Sequence, residues 1–197
     1  MTVFPQIDVF FFSSTEIDGL FVISPRSVTD ERGEIRELFR KSVFTESIPG
    51  FPSSWAQVNL TRTKYGAVRG LHAEAMTKLV TVAYGGAFGV YVDVRPDSSS
   101  RGKVVTVDLR PGRQVLVPQG VCNGFQATAE GGSEYLYFFD PEWQPTMAGT
   151  SVNTLDDELD IQWPIPIDPD NRDQISAKDA AAPTLAEVLA QVPGVDR

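Results

Sequence analysis

The sequence predicts an all-β chain built as a sandwich or barrel of antiparallel sheets, and three observations predict it. Period-two alternation with β-branched clusters dominates the middle of the chain. The connections between those stretches are rich in Gly, Pro, Asp and Ser and too short for the helical crossovers that parallel strands require. Helical patterns are few.

In chain order, strands are expected at residues 19–24 and 33–39, the second opened by the Asp30-Glu-Arg32-Gly33 turn. Residues 41–48 suit a two-turn helix stopped by Pro49-Gly50. Strands follow at 56–61, 67–72, 77–83 and 87–93, the last two separated by the turn at Tyr84-Gly85-Gly86. Turn-rich segments at 96–102, 111–113 and 129–133 then punctuate strands at 103–109, 114–117, 124–127 and 134–139. Residues 153–166, containing Trp163 and Pro164, are expected to wrap the barrel as loop. Thr184-Leu-Ala-Glu187 resembles a capping box, with Leu185, Val188, Leu189 and Val192 on one face of a helix over 184–192. No repeat or linker divides the chain, so one domain over 1–197 is expected, with residues 1–18 as an N-terminal arm.

Composition excludes several functions. The 197 residues carry 17 basic and 26 acidic side chains, a net charge of −9, which disfavours a phosphate-tracking surface and hence a nucleic-acid partner. Residues 148–197 alone hold ten acids against three bases. No apolar run approaches the roughly 20 residues that span a bilayer, and no basic segment precedes the opening apolar stretch, so neither a membrane partner nor a secretory signal is expected. One cysteine, Cys122, excludes an internal disulfide and fits a reducing cytoplasm, where it reads as a small buried hydrophobe. One histidine and one cysteine are too few for a transition-metal site, so no metal is expected. Neither a P-loop, a G-x-G-x-x-G turn nor a G-x-S-x-G elbow occurs, which leaves nucleotide-cofactor and hydrolase readings without support. Arg32, Arg36, Arg62, Arg69 and Lys78 fall in or near strands; each alone is a solvated edge residue, but together they could line a pocket for a small anion.

The lone histidine lies in Arg69-Gly-Leu-His72 at the end of an expected strand. Its company includes Gln57-Val-Asn59, Lys78-Leu-Val80, Val92-Asp-Val-Arg95, Asn123-Gly-Phe125, Glu134-Tyr-Leu-Tyr137, Ile161-Gln-Trp-Pro164 and Ser176-Ala-Lys-Asp179. In this order, with Asp30-Glu-Arg-Gly33 and Val117-Pro118, these segments resemble the dTDP-4-dehydrorhamnose 3,5-epimerase family from about Gly19 to the final helix. The resemblance implies a cupin-like double-stranded jelly roll with short helices at the periphery and C-terminus. It further implies a homodimer without cofactor that inverts carbons of a dTDP-4-dehydro-6-deoxy-hexose.

The chemistry implied is removal of a proton α to the C4 ketone, stabilisation of the enolate, and return of a proton on the opposite face. By the same resemblance His72 is the base and Asp179 its carboxylate partner, Tyr137 the acid on the other face, and Lys78 the cation near the ketone oxygen. Arg32 and Arg69 resemble the phosphate contacts, since guanidinium forks suit a pyrophosphate. Gln57, Asn59, Glu37 and Lys178 match positions near the nucleotide, and Trp143 stands where a tyrosine is common. Three departures are visible. Asn123, at a position the resemblance assigns to nucleotide contact, replaces a frequent histidine; Gly89 stands where many members have Asp; and His72-Ala73-Glu74 with few residues before Lys78, together with Asn123, looks like a subgroup from Gram-positive bacteria. Three readings stay open: inversion of both C3 and C5, favoured by Tyr137; inversion of one carbon; and a sugar-binding module without turnover.

Overall fold

The computed structural model describes residues 10–191. Positions 1–9 of the expected arm and Val192 of the expected last helix lie outside the described residues.

Two antiparallel sheets face each other. The first runs in the order β1 (Phe10–Ser14), β2 (Phe21–Pro25), β10 (Gln114–Val117), β7 (Lys78–Tyr84), β12 (Ser133–Phe139), β5 (Gln57–Thr63). The second runs β13 (Gly149–Ser151), β6 (Val68–Glu74), β11 (Val121–Ala127), β8 (Ala87–Asp93), β9 (Val104–Leu109). A separate hairpin joins β3 (Ser27–Asp30) to β4 (Gly33–Arg36). Sequence neighbours repeatedly fall in opposite sheets, as in the cupin-like jelly roll. The helices are short: α1 (Lys41–Ser47), α2 (Ala177–Ala180) and α3 (Leu185–Ala190), the last closed by the Thr184–Glu187 capping box that the sequence suggests.

Alternation along each strand divides the apolar residues among three clusters. Val80, Val82, Tyr91, Val115, Phe125 and Tyr135 fill the space between the sheets. Val90, Val92 and Cys122 point the other way and are covered by Val152, Leu159, Leu185 and Val188 of the C-terminal segment. Ile23, Leu79 and Leu116, on the outer face of the first sheet, are covered by Phe10, Phe44 of α1 and a ring of aromatic side chains including Phe39, Phe51 and Trp55. Cys122 is fully buried, and burial pushes its thiol up to about 12.

Boundaries differ from expectation where a strand meets a turn. The strand expected to reach residue 39 stops at Arg36, because the Leu38 carbonyl accepts from the Gln114 side chain at 2.8 Å instead of a ladder partner. Conversely β6 runs two residues past His72, to Glu74, because Glu74 and His72 pair with Gly149 and Ser151 of β13. β1, β3 and β13 add to the strands read from sequence, and a 3₁₀ turn at Asp157–Leu159 interrupts the expected loop.

One contact sets the position of β6 against β11. Gly70 has φ +120°, and a Cβ there would stand 2.5 Å from the Gly124 Cα and 2.8 Å from the Asn123 carbonyl. Only glycine permits that approach, at the point where the register with β11 shifts between Asn123 and Phe125. Asn123 and His72 are thereby cross-strand partners.

Candidate active site

Inner-face positions change from apolar to polar toward one end of the sandwich. On β7 the series runs Val82, Val80, Lys78 and on β11 Phe125, Asn123, while β12 contributes the aromatic side chains Tyr135, Tyr137 and Phe139. β6 presents His72 and Glu74 on the same face, because residues two apart on a strand share a side. Gln57, Asn59 and Thr61 of β5 close one wall, and Ser176, Lys178 and Asp179 close another. The result is a cavity of about 430 Å³ between the two sheets, floored by Phe125 stacked on Tyr135 with ring centroids 3.9 Å apart.

Asp179 reaches His72 because of a local cap. Ser176 is the N-cap of α2, and its hydroxyl accepts from the Asp179 backbone N–H at 3.0 Å, which fixes the third residue of that turn. The Asp179 carboxylate then lies 2.7 Å from His72 Nε2, itself on β6, 107 residues away in sequence. Burial alone would raise the Asp179 carboxyl, but the hydrogen bonds with His72 and Ser176 outweigh it and hold the group below the ordinary carboxylate value. An ionised carboxylate can only accept, so Nε2–H donates and Nδ1 is left as the acceptor nitrogen of the imidazole.

Tyr137 lines the same cavity from the opposite sheet. Burial pushes its phenol well above the ordinary value; the nearby Arg69 charge opposes the shift without cancelling it. The group is therefore protonated at neutral pH and available as a donor. Lys78 is almost fully buried, its Nζ donating to the Glu74 carboxylate and, at 2.6 Å, to Asn123 Oδ1. Arg69 donates to the Thr63 hydroxyl at 3.0 Å and lines the cavity with Lys178. The Gln57 side-chain Oε1 accepts from the Trp143 backbone N–H at 2.8 Å, which holds the half-exposed indole at the rim.

Ten of the twelve residues singled out in the sequence thus line one cavity: His72, Lys78, Tyr137, Asp179, Gln57, Asn59, Arg69, Asn123, Trp143 and Lys178. The structure does not bring Arg32 or Glu37 there. Arg32 lies in the β3–β4 turn, 81% exposed and paired with Asp30, while Glu37 pairs with Arg40. Of the other basic residues, Arg62 lines an adjoining cleft and Arg36 pairs with Glu34. Sequence reading missed Glu74, Thr61, Phe125, Phe139 and Ser176 as lining residues. The available signal was the two-residue spacing itself, which puts Glu74 beside His72 and Thr61 beside Asn59.

Gly89 finds its explanation one strand beyond the pocket. A Cβ at Gly89 would stand 2.8 Å from the Tyr91 hydroxyl, so the buried Tyr91 phenol occupies the space a side chain at 89 would need. β11 lies between Gly89 and the strand that carries His72. Among the described residues no group of three or more His, Cys, Asp or Glu side chains is placed to hold a metal ion, and no helix is long and apolar enough to cross a membrane.

Residues 14–187 match the family model described as dTDP-4-dehydrorhamnose 3,5-epimerase. The enzyme of that name from Salmonella typhimurium is 35% identical over 181 residues, covering 89% of this chain and 95% of its own. Among solved structures, the dTDP-6-deoxy-D-glucose-3,5-epimerase from Legionella pneumophila in complex with dTDP-4-keto-L-rhamnose superposes with a TM-score of 0.79 at 32% identity, covering 92% of this chain and 97% of that one. A 3'-monoepimerase from Streptomyces bikiniensis in complex with dTDP-quinovose gives 0.77 at 30% identity, covering 87% and 86%.

Proposed function

The chain belongs to the dTDP-4-dehydrorhamnose 3,5-epimerase family, and from that premise we propose how its cavity converts dTDP-4-dehydro-6-deoxy-D-glucose to dTDP-4-dehydro-L-rhamnose. The activity is epimerisation at C3 and C5, an isomerase reaction on a dTDP-linked sugar. The observation that carries the mechanism is the 2.7 Å contact of His72 Nε2 with Asp179, in a cavity whose opposite wall presents the Tyr137 phenol.

His72 Nδ1 removes the proton next to the ketone while Asp179 stabilises the imidazolium that forms, without itself taking the proton. The electrons left on carbon move onto the ketone oxygen, and a Lys78 N–H meets the negative charge there. Tyr137, kept protonated by burial, returns a proton from the other face, and the carbon is inverted. Arg69 and Lys178 supply the positive charge for the pyrophosphate, with Trp143 as the aromatic surface beside the nucleotide.

Arg32 and Glu37 have no part in this scheme within one chain. Val58 and Leu60 leave an apolar patch on the outer face of β5, at the edge of the first sheet, each more than half exposed. A homodimer would cover it, and sedimentation of the wild type against Leu60→Glu checks that arrangement.

Inversion of one carbon, C3 or C5, is the second reading, favoured by the similarity to the 3'-monoepimerase. Proton NMR of the purified protein with dTDP-4-dehydro-6-deoxy-D-glucose in D2O separates the two. Deuterium at C3 and C5, with product trapped by a 4-reductase and NADPH, supports double inversion; deuterium at one carbon selects the second reading. Deuterium at neither overturns the enzymatic reading.

A further inference from the structure

We infer that Glu74, with Asn123, is a positioning residue that fixes the Lys78 ammonium so that one N–H is left for the ketone oxygen of the substrate. This rests on the epimerase reading and gives a role to a carboxylate that the mechanism above does not use. Lys78 is the first residue of β7 and Glu74 the last of β6, joined by the turn at Ala75-Met-Thr77. That turn is held from several sides. Ala75 N–H donates to the Ala148 carbonyl at 3.0 Å, Thr77 N–H donates to Asp140 Oδ1 at 2.8 Å, and Met76 is buried. The two charged side chains are therefore delivered to the same point by the strand ends, and Glu74 accepts from Lys78 Nζ.

The Lys78 side chain is 6% exposed, and a charge so far from water needs partners within reach. An ammonium has three donors and no acceptor. Glu74 takes one and Asn123 Oδ1 takes a second at 2.6 Å, both from the walls of the cavity. What remains is a single donor on a side chain that lines the cavity. A lysine stem is flexible and has many rotamers, whereas stabilising an enolate requires a donor already in place when charge develops.

The chemistry of the two partners fits this division. A carboxylate at 74 anchors the ammonium but subtracts from the positive charge that the enolate meets. A neutral amide at 123 supplies the second anchor without adding another negative charge. Asn123 is also the cross-strand partner of His72, so the same residue ties the geometry of the lysine to that of the base.

The test is the rate of C3 deuterium exchange in D2O, with KM, dTDP affinity and melting temperature measured on the same proteins. Glu74→Ala is expected to lower kcat for exchange by about tenfold or more, the scale of losing a hydrogen bond to a charged group, with KM and dTDP affinity within about threefold. Glu74→Gln keeps an acceptor oxygen and is expected to restore the rate to within about fivefold of wild type. A Glu74→Ala protein exchanging within about twofold of wild type overturns the proposal, as does a loss of dTDP affinity parallel to the loss of rate, which marks a merely structural role. Should Glu74→Ala not fold, Asn123→Ala and Asn123→Asp decide: both are expected to slow exchange, the second because its added negative charge opposes the enolate, and wild-type rates in both overturn the proposal. Absence of exchange in the wild type would overturn the epimerase reading itself, whereas wild-type exchange untouched by these variants overturns only the role of Glu74 and Asn123.

Discussion

Replacing Asp179 with Asn changes one atom group and tests the pairing on which the proton chemistry depends. The carboxylate accepts from His72 Nε2 at 2.7 Å and is nearly buried, with Ser176 fixing its backbone. A hydrogen bond to a charged group contributes about 1.5–3 kcal/mol, which corresponds to roughly ten- to 150-fold in rate if it is made fully only with the imidazolium. The amide can also turn its NH2 toward Nε2, which selects the tautomer with the proton on Nδ1 and removes the accepting nitrogen. We therefore expect C3 exchange to fall by at least about tenfold at pH 7, with dTDP affinity unchanged, because no part of the loss concerns the nucleotide. The wild-type pH dependence has a definite sign. A carboxyl whose folded value lies below its ordinary 3.8 contributes stability that is present above that value and is lost as pH falls through the lowered one. Acid below about pH 4 should accordingly weaken the wild type and leave Asp179→Asn less affected. Exchange in Asp179→Asn within about twofold of wild type, at unchanged melting temperature, would refute the pairing as the activating contact.

Tyr137→Phe should retain most C3 exchange but fail to complete inversion, so the ratio of deuterium incorporated to product trapped by a reductase should rise; equal losses in both would remove the separate acid role. Asp93 is fully buried and accepts from Arg95, Ser98 and Ser100, and although burial opposes ionisation these bonds hold its carboxyl at about 2. The shift from 3.8 corresponds to about 2 kcal/mol of stability, present above pH 4 and lost as pH falls toward 2, and urea unfolding of wild type and Asp93→Asn at pH 7 and pH 3 should show the difference shrinking in acid. Gly89→Ala should destabilise by roughly 1–3 kcal/mol through collision with the Tyr91 hydroxyl. Tyr91→Phe should relieve part of that cost in the double variant, because the contacts with Leu109 Cδ1 at 3.1 Å and Tyr91 Cε2 at 3.2 Å remain; additive effects in the thermodynamic cycle would contradict the collision.

What the sequence made legible follows from how much of each strand is buried. The pattern at residues 87–93 and 114–117 gives the bounds the structure has, because β8 and β10 are inner strands flanked by turn residues on both sides. β1, at a sheet edge, carries Phe10-Phe-Phe12 with no alternation, and the three residues of β13 are too few to show a period. The four residues of α2 likewise make no helical stripe, yet its Ser176 cap is what delivers Asp179 to His72. That contact spans 107 residues and could be reached from sequence only through the family resemblance, since no local pattern links the two segments.

Glu74 was missed for a narrower reason. A strand ending at His72 leaves Glu74 off the face it shares with the histidine, whereas two more residues of the same alternation place it there. Arg32 and Glu37 show the converse: the resemblance places both at the substrate, but neither lines the cavity of its own chain. The inner face of a β-sandwich is ordinarily its core, so each polar residue there costs stability unless it is paired. In this chain the pairing is supplied from different strands and segments, Asp179 to His72 and Glu74 with Asn123 to Lys78, so that the groups needed for proton transfer satisfy one another before substrate arrives. The same contacts that make the polar end of the sandwich tolerable also hold the base and the cation in one geometry. Variants that break them should therefore lose rate before they lose the fold, because the apolar clusters between and outside the sheets do not depend on them.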